Sequence, residues 1–205
     1  MPRLTQIKET KKGRLALFFD GEFAFSLDEQ TFADAALHQD DLLEDWQIEA
    51  LRKKSETRSA LDKAMDYLSL RDHAAGELYQ KLCRRFDAHS AAYAVARAGE
   101  LGLLNDAGFA RRRAAELLRK RKSRREILHD LSAKGIDRDT AAEVVEELFA
   151  ENDDDESPEL ETARALVARQ YASKLAAGKR DQVAAALARR GFSHAVIREV
   201  LSDDE

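Results

Sequence analysis

The feature of this sequence that most constrains its fold is an internal repeat. The segments GELYQKLCRRFDAHSAAYAV, REILHDLSAKGIDRDTAAEVV and DQVAAALARRGFSHAVIREVL can be laid over one another. Apolar residues then coincide at two sets of positions: Leu78, Ile127 and Val183, and Leu82, Leu131 and Leu187. A short helical repeat buries its apolar face only by stacking on its neighbours. The sequence therefore predicts a mainly α fold, with three tandem three-helix repeats in an elongated array.

A glycine ends the second helix of the last two copies. Gly135 and Gly191 can adopt the left-handed conformation of a helix C-cap, and Ile136 and Phe192 then supply the usual apolar contact. The first copy lacks this glycine. We expect its second helix to end at Arg85 in a turn of a different shape.

Capping residues divide the copies further. Ser123 and Glu126 form the pattern of a capping box at the second helix of the middle copy. Ala74 and Lys179 occupy the matching positions of the other copies, so neither is expected to be capped in this way. A good N-cap residue precedes each third helix: Asp87, Asp137 and Ser193.

The N-terminal segment has a different pattern. Two apolar-rich runs, Arg14–Phe19 and Glu22–Leu27, are joined by Asp20-Gly21, which favours a hairpin with a type I′ turn. An isolated hairpin is marginally stable in water, so Leu4–Lys8 is a candidate third strand. The sequence predicts a small N-terminal β-hairpin extension.

Two details of this extension can be tested against a structure. Ser26 and Glu29 are spaced as a capping box, which predicts that a short helix starts there. Phe19, Phe23 and Phe25 are expected to pack in the core rather than stack on bases, because strand aromatics usually fill cores.

The copies differ in spacing. The first two are offset by about 49 residues and the last two by about 56, as the printed sequence shows, so an insertion separates the second copy from the third. Its acidic sequence is typical of a solvated linker, and flexible carboxylates lack the fixed geometry of a Ca²⁺ or Mg²⁺ site. The expected domains are 1–54 (hairpin and short helices), 55–104 (repeat one), 105–150 (repeat two), 151–157 (acidic linker) and 158–205 (repeat three).

Positive charge is concentrated in the middle of the chain. Nine basic residues and one acid, Glu116, lie between Arg111 and Arg125, although the whole chain has 34 Lys and Arg against 39 Asp and Glu. The stretch is either a solvated helix face or a surface for an anionic partner, and charge alone does not separate DNA backbone from acidic protein. No aromatics are interleaved, so base stacking is not indicated. The candidate binding residues are Arg111, Arg112, Arg113, Arg119, Lys120, Arg121, Lys122, Arg124, Arg125 and Lys134.

The order and spacing of four segments resemble the RecX family. These are YLSLRDHAAGELYQKL, LGLLNDAGFARRR, EILHDLSAKGID and ALARRGF, and the resemblance extends over about residues 5–202. The stretch LFFDGEFAFSLDE is similar to the extended N-terminus found in part of that family. The chain departs from the family pattern at Ala74, at Asn105 and at Lys122-Ser123, and the last departure affects how the basic helix pair is angled.

The resemblance implies a function that composition does not. RecX-like proteins are non-enzymatic regulators that bind the filament of RecA on DNA and inhibit its ATPase and strand exchange, in recombination and the SOS response. We therefore expect a RecA filament as partner, a weak contact with single- or double-stranded DNA, and a monomer. The alternative is a stand-alone helical nucleic-acid-binding protein, because helix–turn–helix readers are also built from short helices.

Other functional classes find little support in the sequence. The five histidines show no paired ligand spacing, and there is no P-loop, nucleophile elbow or dinucleotide fingerprint, so we expect no catalytic, cofactor or metal site. The single cysteine, Cys83, cannot form an internal disulfide, which suits a reducing compartment. The sequence starts without a secretory signal and has no apolar run of ~20 residues, so we expect a cytoplasmic protein with no membrane contact.

Overall fold

The computed structural model describes residues 1–11, 13–150 and 157–202. The chain forms two compact units. The first unit contains residues 1–71 and 78–103, and the second contains residues 72–77 and the chain from residue 104 onward. The predicted acidic linker at 151–157 falls outside the described residues except for Ser157.

The N-terminal extension is a three-stranded antiparallel sheet. Strands β1 (Leu4–Glu9), β2 (Leu15–Phe19) and β3 (Glu22–Leu27) lie in sequence order. Asp20 and Gly21 both have positive φ, 49° and 86°, as a type I′ turn requires. The predicted hairpin and its third strand are confirmed.

The capping box expected at Ser26 is wrong. Helix α1 (Glu29–Ala35) begins after Asp28, whose side chain accepts a 3.0 Å hydrogen bond from the backbone N–H of Thr31. Ser26 lies inside β3, and its Oγ accepts a bond from Arg14 Nε at 3.2 Å. Because the strand continues past Ser26, the first residue free to cap the helix is Asp28.

The sheet and the following helices share one apolar core. Leu4, Leu17 and Leu27 are fully buried, and Ile48 and Leu51 pack against them. The latter two residues come from α2 (Asp45–Leu70). This long helix runs without a break across the boundary expected between residues 54 and 55.

Helix α2 also packs on α4 (Ala88–Glu100) through alanines. The fully buried residues of this contact are Ala60, Ala64, Ala91, Ala94 and Ala98. Small side chains let two helices approach closely, so this pair needs no large apolar residues. The packing explains why the segment has a weak apolar signal and is still a stable helix.

The second helix of the first copy, α3, spans Ala75–Leu82 and ends three residues before the expected Arg85. The chain then turns through hydrogen bonds from the backbone N–H groups of Arg85 and Phe86 to Leu82 O, at 2.9 and 3.0 Å. The turn therefore differs in shape from the glycine turns of the other copies, as expected.

Repeats two and three, together with residues 72–77, form the second unit. Repeat two consists of α5 (Asp106–Arg119), α6 (Arg124–Ala133) and α7 (Arg138–Ala150). Repeat three consists of α8 (Pro158–Gln170), α9 (Ala172–Ala176), α10 (Arg180–Arg190) and α11 (His194–Ser202). Each has its own apolar cluster. The one-turn helix α9 is an addition that the repeat pattern did not predict.

The glycine turns are confirmed. Gly135 and Gly191 have φ of 78° and 93°. The backbone N–H of Ile136 donates to Leu131 O at 3.1 Å, and the side chain of Ile136 is buried. Phe192 repeats this arrangement. These bonds are those of a Schellman cap.

Within the second unit, the start of one second helix packs on the glycine turn of the next. A Cβ added to Gly76, in the first turn of α3, would lie 2.6 Å from the Cα of Gly135. The first turn of α6 meets Gly191 in the same way, where an added Cβ would lie 2.7 Å from the Cβ of Arg125. We call each such contact a joint. The first copy has no preceding repeat, which gives a physical reason why its turn needs no glycine.

Candidate partner-binding surface

Helix α5 fixes the direction of the first half of the basic stretch. Asn105 caps the helix by accepting a 2.7 Å bond from the backbone N–H of Gly108. Ala110, Ala114 and Leu117 are buried against the rest of repeat two. The helical period then directs the residues between them toward solvent.

Four bases of α5 and its C-cap are exposed: Arg111, Arg112, Arg119 and Lys120. Arg111 is engaged by α7, and we call the other three the basic face. Arg112 forms an ion pair with Asp72, and both side chains are exposed. Lys120 pairs with Glu116 one turn earlier, an arrangement that lowers the pKa of Glu116. Arg119 is exposed and, within the described part of the chain, forms no ion pair. Exposed pairs contribute little, so these three cations can exchange partners at small cost.

The other two arginines of this helix pair with acids of neighbouring helices. Arg113 makes a bidentate contact with Asp130, at 2.8 and 2.9 Å, and a further 2.9 Å bond to Glu116. The hydrogen bonds from Arg113 lower the pKa of Asp130. Arg111 pairs with Glu147 of α7 at 3.0 Å. Arg113 therefore ties α5 to α6, and Arg111 ties α5 to α7.

The turn between α5 and α6 also has internal partners. Arg121, in the left-handed conformation with φ 59°, pairs with Glu161 of α8 at 3.2 Å. Lys122 pairs with Glu126 at 2.8 Å. The side chain of Ser123 forms the predicted capping box with Glu126, which is confirmed.

The first turn of α6 caps the C-terminal end of α10. Ser123 Oγ donates to Arg190 O at 2.6 Å, and Arg125 Nη2 donates to Arg189 O at 2.9 Å. Cations and donors are favourable there because the last carbonyls of a helix carry partial negative charge. Arg124 pairs with Glu146 at 2.6 Å and lies over the ring of Phe149. Much of the positive charge in this turn therefore holds repeat three to repeat two.

Lys134, the last candidate, belongs to the other joint. Its Nζ lies 2.9 Å from Glu77 Oε1, in the first turn of α3. The buried His73 contacts the other oxygen of Glu77, also at 2.9 Å. At the second joint, too, a base of the later repeat, Arg190, acts on an acid of the earlier second helix, Glu126. Burial opposes ionisation of Glu126, but a hydrogen bond from Lys122 and the charge of Arg190 help to lower its pKa.

Sequence reasoning counted bases along the chain and missed the acids brought to them by folding. Those acids come from several elements: Asp72, Glu77, Asp130, Glu146, Glu147 and Glu161. One sequence signal pointed to such acids. Glu143 and Glu147 are one helical turn apart, so they share a face of α7, and an acidic face of this kind can pair with a basic helix.

The described residues contain neither a metal-binding cluster nor a membrane-spanning helix. Across 1–11, 13–150 and 157–202, no three His, Cys, Asp or Glu side chains are grouped so as to hold a metal ion. None of the described helices combines the length and apolar character needed to cross a membrane.

Fold and charge together define a helical repeat protein whose second unit presents a small basic face. Two family models match it: the first three-helix domain of RecX over residues 60–97 and the second over residues 105–145. Regulatory protein RecX of Lactobacillus gasseri is 34% identical over 159 residues, covering 76% of this chain and 57% of the relative. The chain belongs to the RecX family, whose members are regulatory proteins.

Further relatives agree. Regulatory protein RecX of Bacillus subtilis is 29% identical over 152 residues, covering 71% of this chain and 56% of that protein. The chain thus spans little more than half the length of these relatives. A crystal structure of a regulatory protein RecX shares the fold, with a TM-score of 0.70 at 20% identity and full coverage of both chains. The structure of RecX from Lactobacillus salivarius matches 72% of this chain and 96% of the other, with a TM-score of 0.60.

Proposed function

We propose that this protein is a non-enzymatic regulator that binds the RecA filament on DNA and inhibits RecA ATPase and strand exchange. Membership of the RecX family carries the proposal. The described fold supports it, because tandem helical repeats commonly serve as binding scaffolds for macromolecular partners.

Within this proposal, the basic face is the contact with the anionic side of the filament. Arg112, Arg119 and Lys120 are exposed on one helix, and their ion pairs are either weak or lacking. A phosphate or a carboxylate of the partner can replace Asp72 and Glu116 at these cations. The remaining candidate bases are proposed to support the surface from within, since they bind acids or carbonyl groups of their own unit.

The test is RecA ATPase and strand exchange with the triple variant R112Q/R119Q/K120Q. Glutamine removes the charges and retains good helix propensity, so the variant should fold as the parent does. We expect at least about tenfold weaker inhibition, which corresponds to about 1.4 kcal/mol of lost binding. Arg124 and Arg125 are unsuitable for this purpose because they hold α7 and α10.

A matched control removes three exposed charges elsewhere. Arg52, Lys53 and Arg97 have side chains 51%, 71% and 46% exposed, and all three lie in the first unit. Their glutamine variant should inhibit like the parent. Equal inhibition by both triple variants would reject the basic face, and failure of the parent to inhibit RecA at all would reject the proposed function.

A further inference from the structure

A groove in the first unit lies between β3 and the first turns of α2. Its volume is about 330 Å³, and Phe19, Phe23 and Ile48 contribute its apolar surface. Phe23 is 62% exposed, although it is a large aromatic side chain on a strand. This exposure corrects the expectation that all three strand phenylalanines pack inside, since only Phe19 and Phe25 are buried.

The sheet geometry explains this exposure. Leu17 pairs with Phe25 and Phe18 pairs with Phe23, so Ala24 is an extra residue on β3. The bulge turns Phe23 away from the core, and its ring forms a T-shaped contact with the ring of Phe18, with 5.7 Å between the ring centroids. Bulges are common at sheet edges and beside functional sites, where they redirect a side chain.

Three acids and one base line this apolar surface: Glu22, Asp45, Glu49 and Arg52. Glu22 and Asp45 line the groove, are exposed, and form no hydrogen bond or ion pair through their side chains within the described chain. Glu49 approaches Arg52 at 3.8 Å and Lys53 at 4.0 Å, and all three side chains are more than half exposed. The groove thus has an apolar floor and a rim that is net acidic, because Glu22 and Asp45 are unpaired, and we call it the acidic groove.

The open edge of the sheet is on the same side. The chain at residues 40–43 covers the outer edge of β1 at its first residue, for example by the bond from Leu4 N–H to Asp41 O at 2.8 Å. Apart from its pairing with β2, the backbone of strand β3 accepts hydrogen bonds only at Ser26 O, from Arg14 and Ser55, among its described residues. Within the described part of the chain, the backbone of residues 22–25 forms no hydrogen bond on the edge that faces away from β2. A partner can therefore reach the acidic groove without displacing part of this unit.

We propose that the acidic groove binds a protein segment in which lysine or arginine alternates with apolar residues. The alkyl stem of a lysine or arginine of the partner, and the apolar residue next to it, would lie on Phe23 and Ile48. The cation of that side chain would pair with Glu22 or Asp45. Nucleic acid is disfavoured, although the aromatic ring is exposed, because two unpaired carboxylates repel phosphate. The proposal concerns the first unit alone and does not depend on RecA.

Trp46 provides a direct readout. It is the only tryptophan of the chain, follows Asp45 in sequence and is 67% exposed. Its emission should change with saturation when a short blocked peptide of alternating lysine and valine is added. A glutamate–valine peptide of equal length and an oligothymidylate should leave the emission unchanged.

The variant E22K/D45K should weaken binding of the lysine–valine peptide by about tenfold or more. The control variant E9K/E29K changes charge equally in the same unit, at the end of β1 and in the first turn of α1. It should bind like the parent, and circular dichroism should show equal helix content in all three proteins. The proposal would be overturned if the parent did not bind the lysine–valine peptide, or if E22K/D45K still bound it. It would also be overturned if the control lost binding equally, or if the glutamate–valine peptide or oligothymidylate bound as well.

Discussion

At the scale of single residues, Ser123 shows how much a short polar side chain can do. It is completely buried, and its Oγ accepts from the backbone N–H of Glu126 at 3.2 Å while donating to Arg190 O at 2.6 Å. One hydroxyl thus starts α6 and ends α10. The sequence pattern predicted the first role, and the second needed the fold.

Ser123→Ala should therefore cost more than the loss of a cap. Loss of a cap costs ~1 kcal/mol, and loss of the bond to a buried carbonyl adds about 1–3 kcal/mol to the decrease in the free energy of unfolding. Urea denaturation measures both. The control is Ser193→Ala, because Ser193 is exposed and its side chain only caps α11. Equal losses in the two variants would show that the bond to Arg190 O contributes nothing.

The contact between Arg113 and Asp130 makes stability depend on pH. The folded protein lowers the pKa of Asp130 through hydrogen bonds from Arg113, so its contribution is present above the unfolded pKa of ~3.9 and is lost as pH falls below it. Asp130→Asn should lower the urea midpoint at pH 7 and reduce its dependence on pH below about 5. Asp139→Asn, at an exposed acid, is the control. An unchanged pH profile in Asp130→Asn would contradict this role.

At the scale of elements, the joints explain why the second and third copies have a glycine turn and the first copy does not. The first turn of each earlier second helix packs on the glycine turn of the later one, with Gly76 on Gly135 and Arg125 on Gly191. Lys134 reaches Glu77 across the first joint, and the charge of Arg190 acts on Glu126 across the second. The joint is therefore a repeated unit of packing as much as the three helices are.

Gly135→Ala tests the close packing of the first joint. Its Cβ would lie 2.6 Å from Gly76 Cα, and the residue also has φ +78°. Gly178→Ala is the matched control, since φ is +68° there and nothing lies within 4 Å of the added Cβ. In both variants the left-handed strain should lower the free energy of unfolding by ~1–3 kcal/mol. Overpacking should lower it by about 1–3 kcal/mol more in Gly135→Ala. Equal urea midpoints would show that the joint yields freely.

At the scale of the whole molecule, charge limits what the chain does alone. The formal net charge is −5, and most of the candidate bases have internal acidic or carbonyl partners. We therefore expect weak long-range attraction to free DNA, so that under the proposed function the contact with protein in the filament matters more.

Salt dependence distinguishes a small basic face from a large one. If only Arg112, Arg119 and Lys120 contact phosphate, log affinity for single-stranded DNA should fall with log salt at a slope of about −2. If all ten candidate bases exchanged their internal partners for phosphate, the slope would approach about −7. Fluorescence anisotropy of a labelled oligothymidylate measures it. The triple variant R112Q/R119Q/K120Q should bind too weakly for a slope, and a steep slope in that variant would contradict the assignment.

The sequence by itself determined the features set by local physics. Helical periodicity, the Asp20-Gly21 turn, the glycine caps at Gly135 and Gly191 and the capping box at Ser123 depend on residues close in the chain, so their patterns can be read directly. The order of the motifs also identified the family, which the comparisons confirmed.

Only the tertiary structure decided which charges are available. The candidate bases look unbalanced in sequence because six of their acidic partners lie 17 to 57 positions away, such as Asp130 for Arg113 and Glu77 for Lys134. Ion pairing between elements depends on how helices pack, and no local pattern encodes it. The same reason applies to Phe23: its exposure follows from a bulge in the sheet register, whereas its residue type alone favours burial.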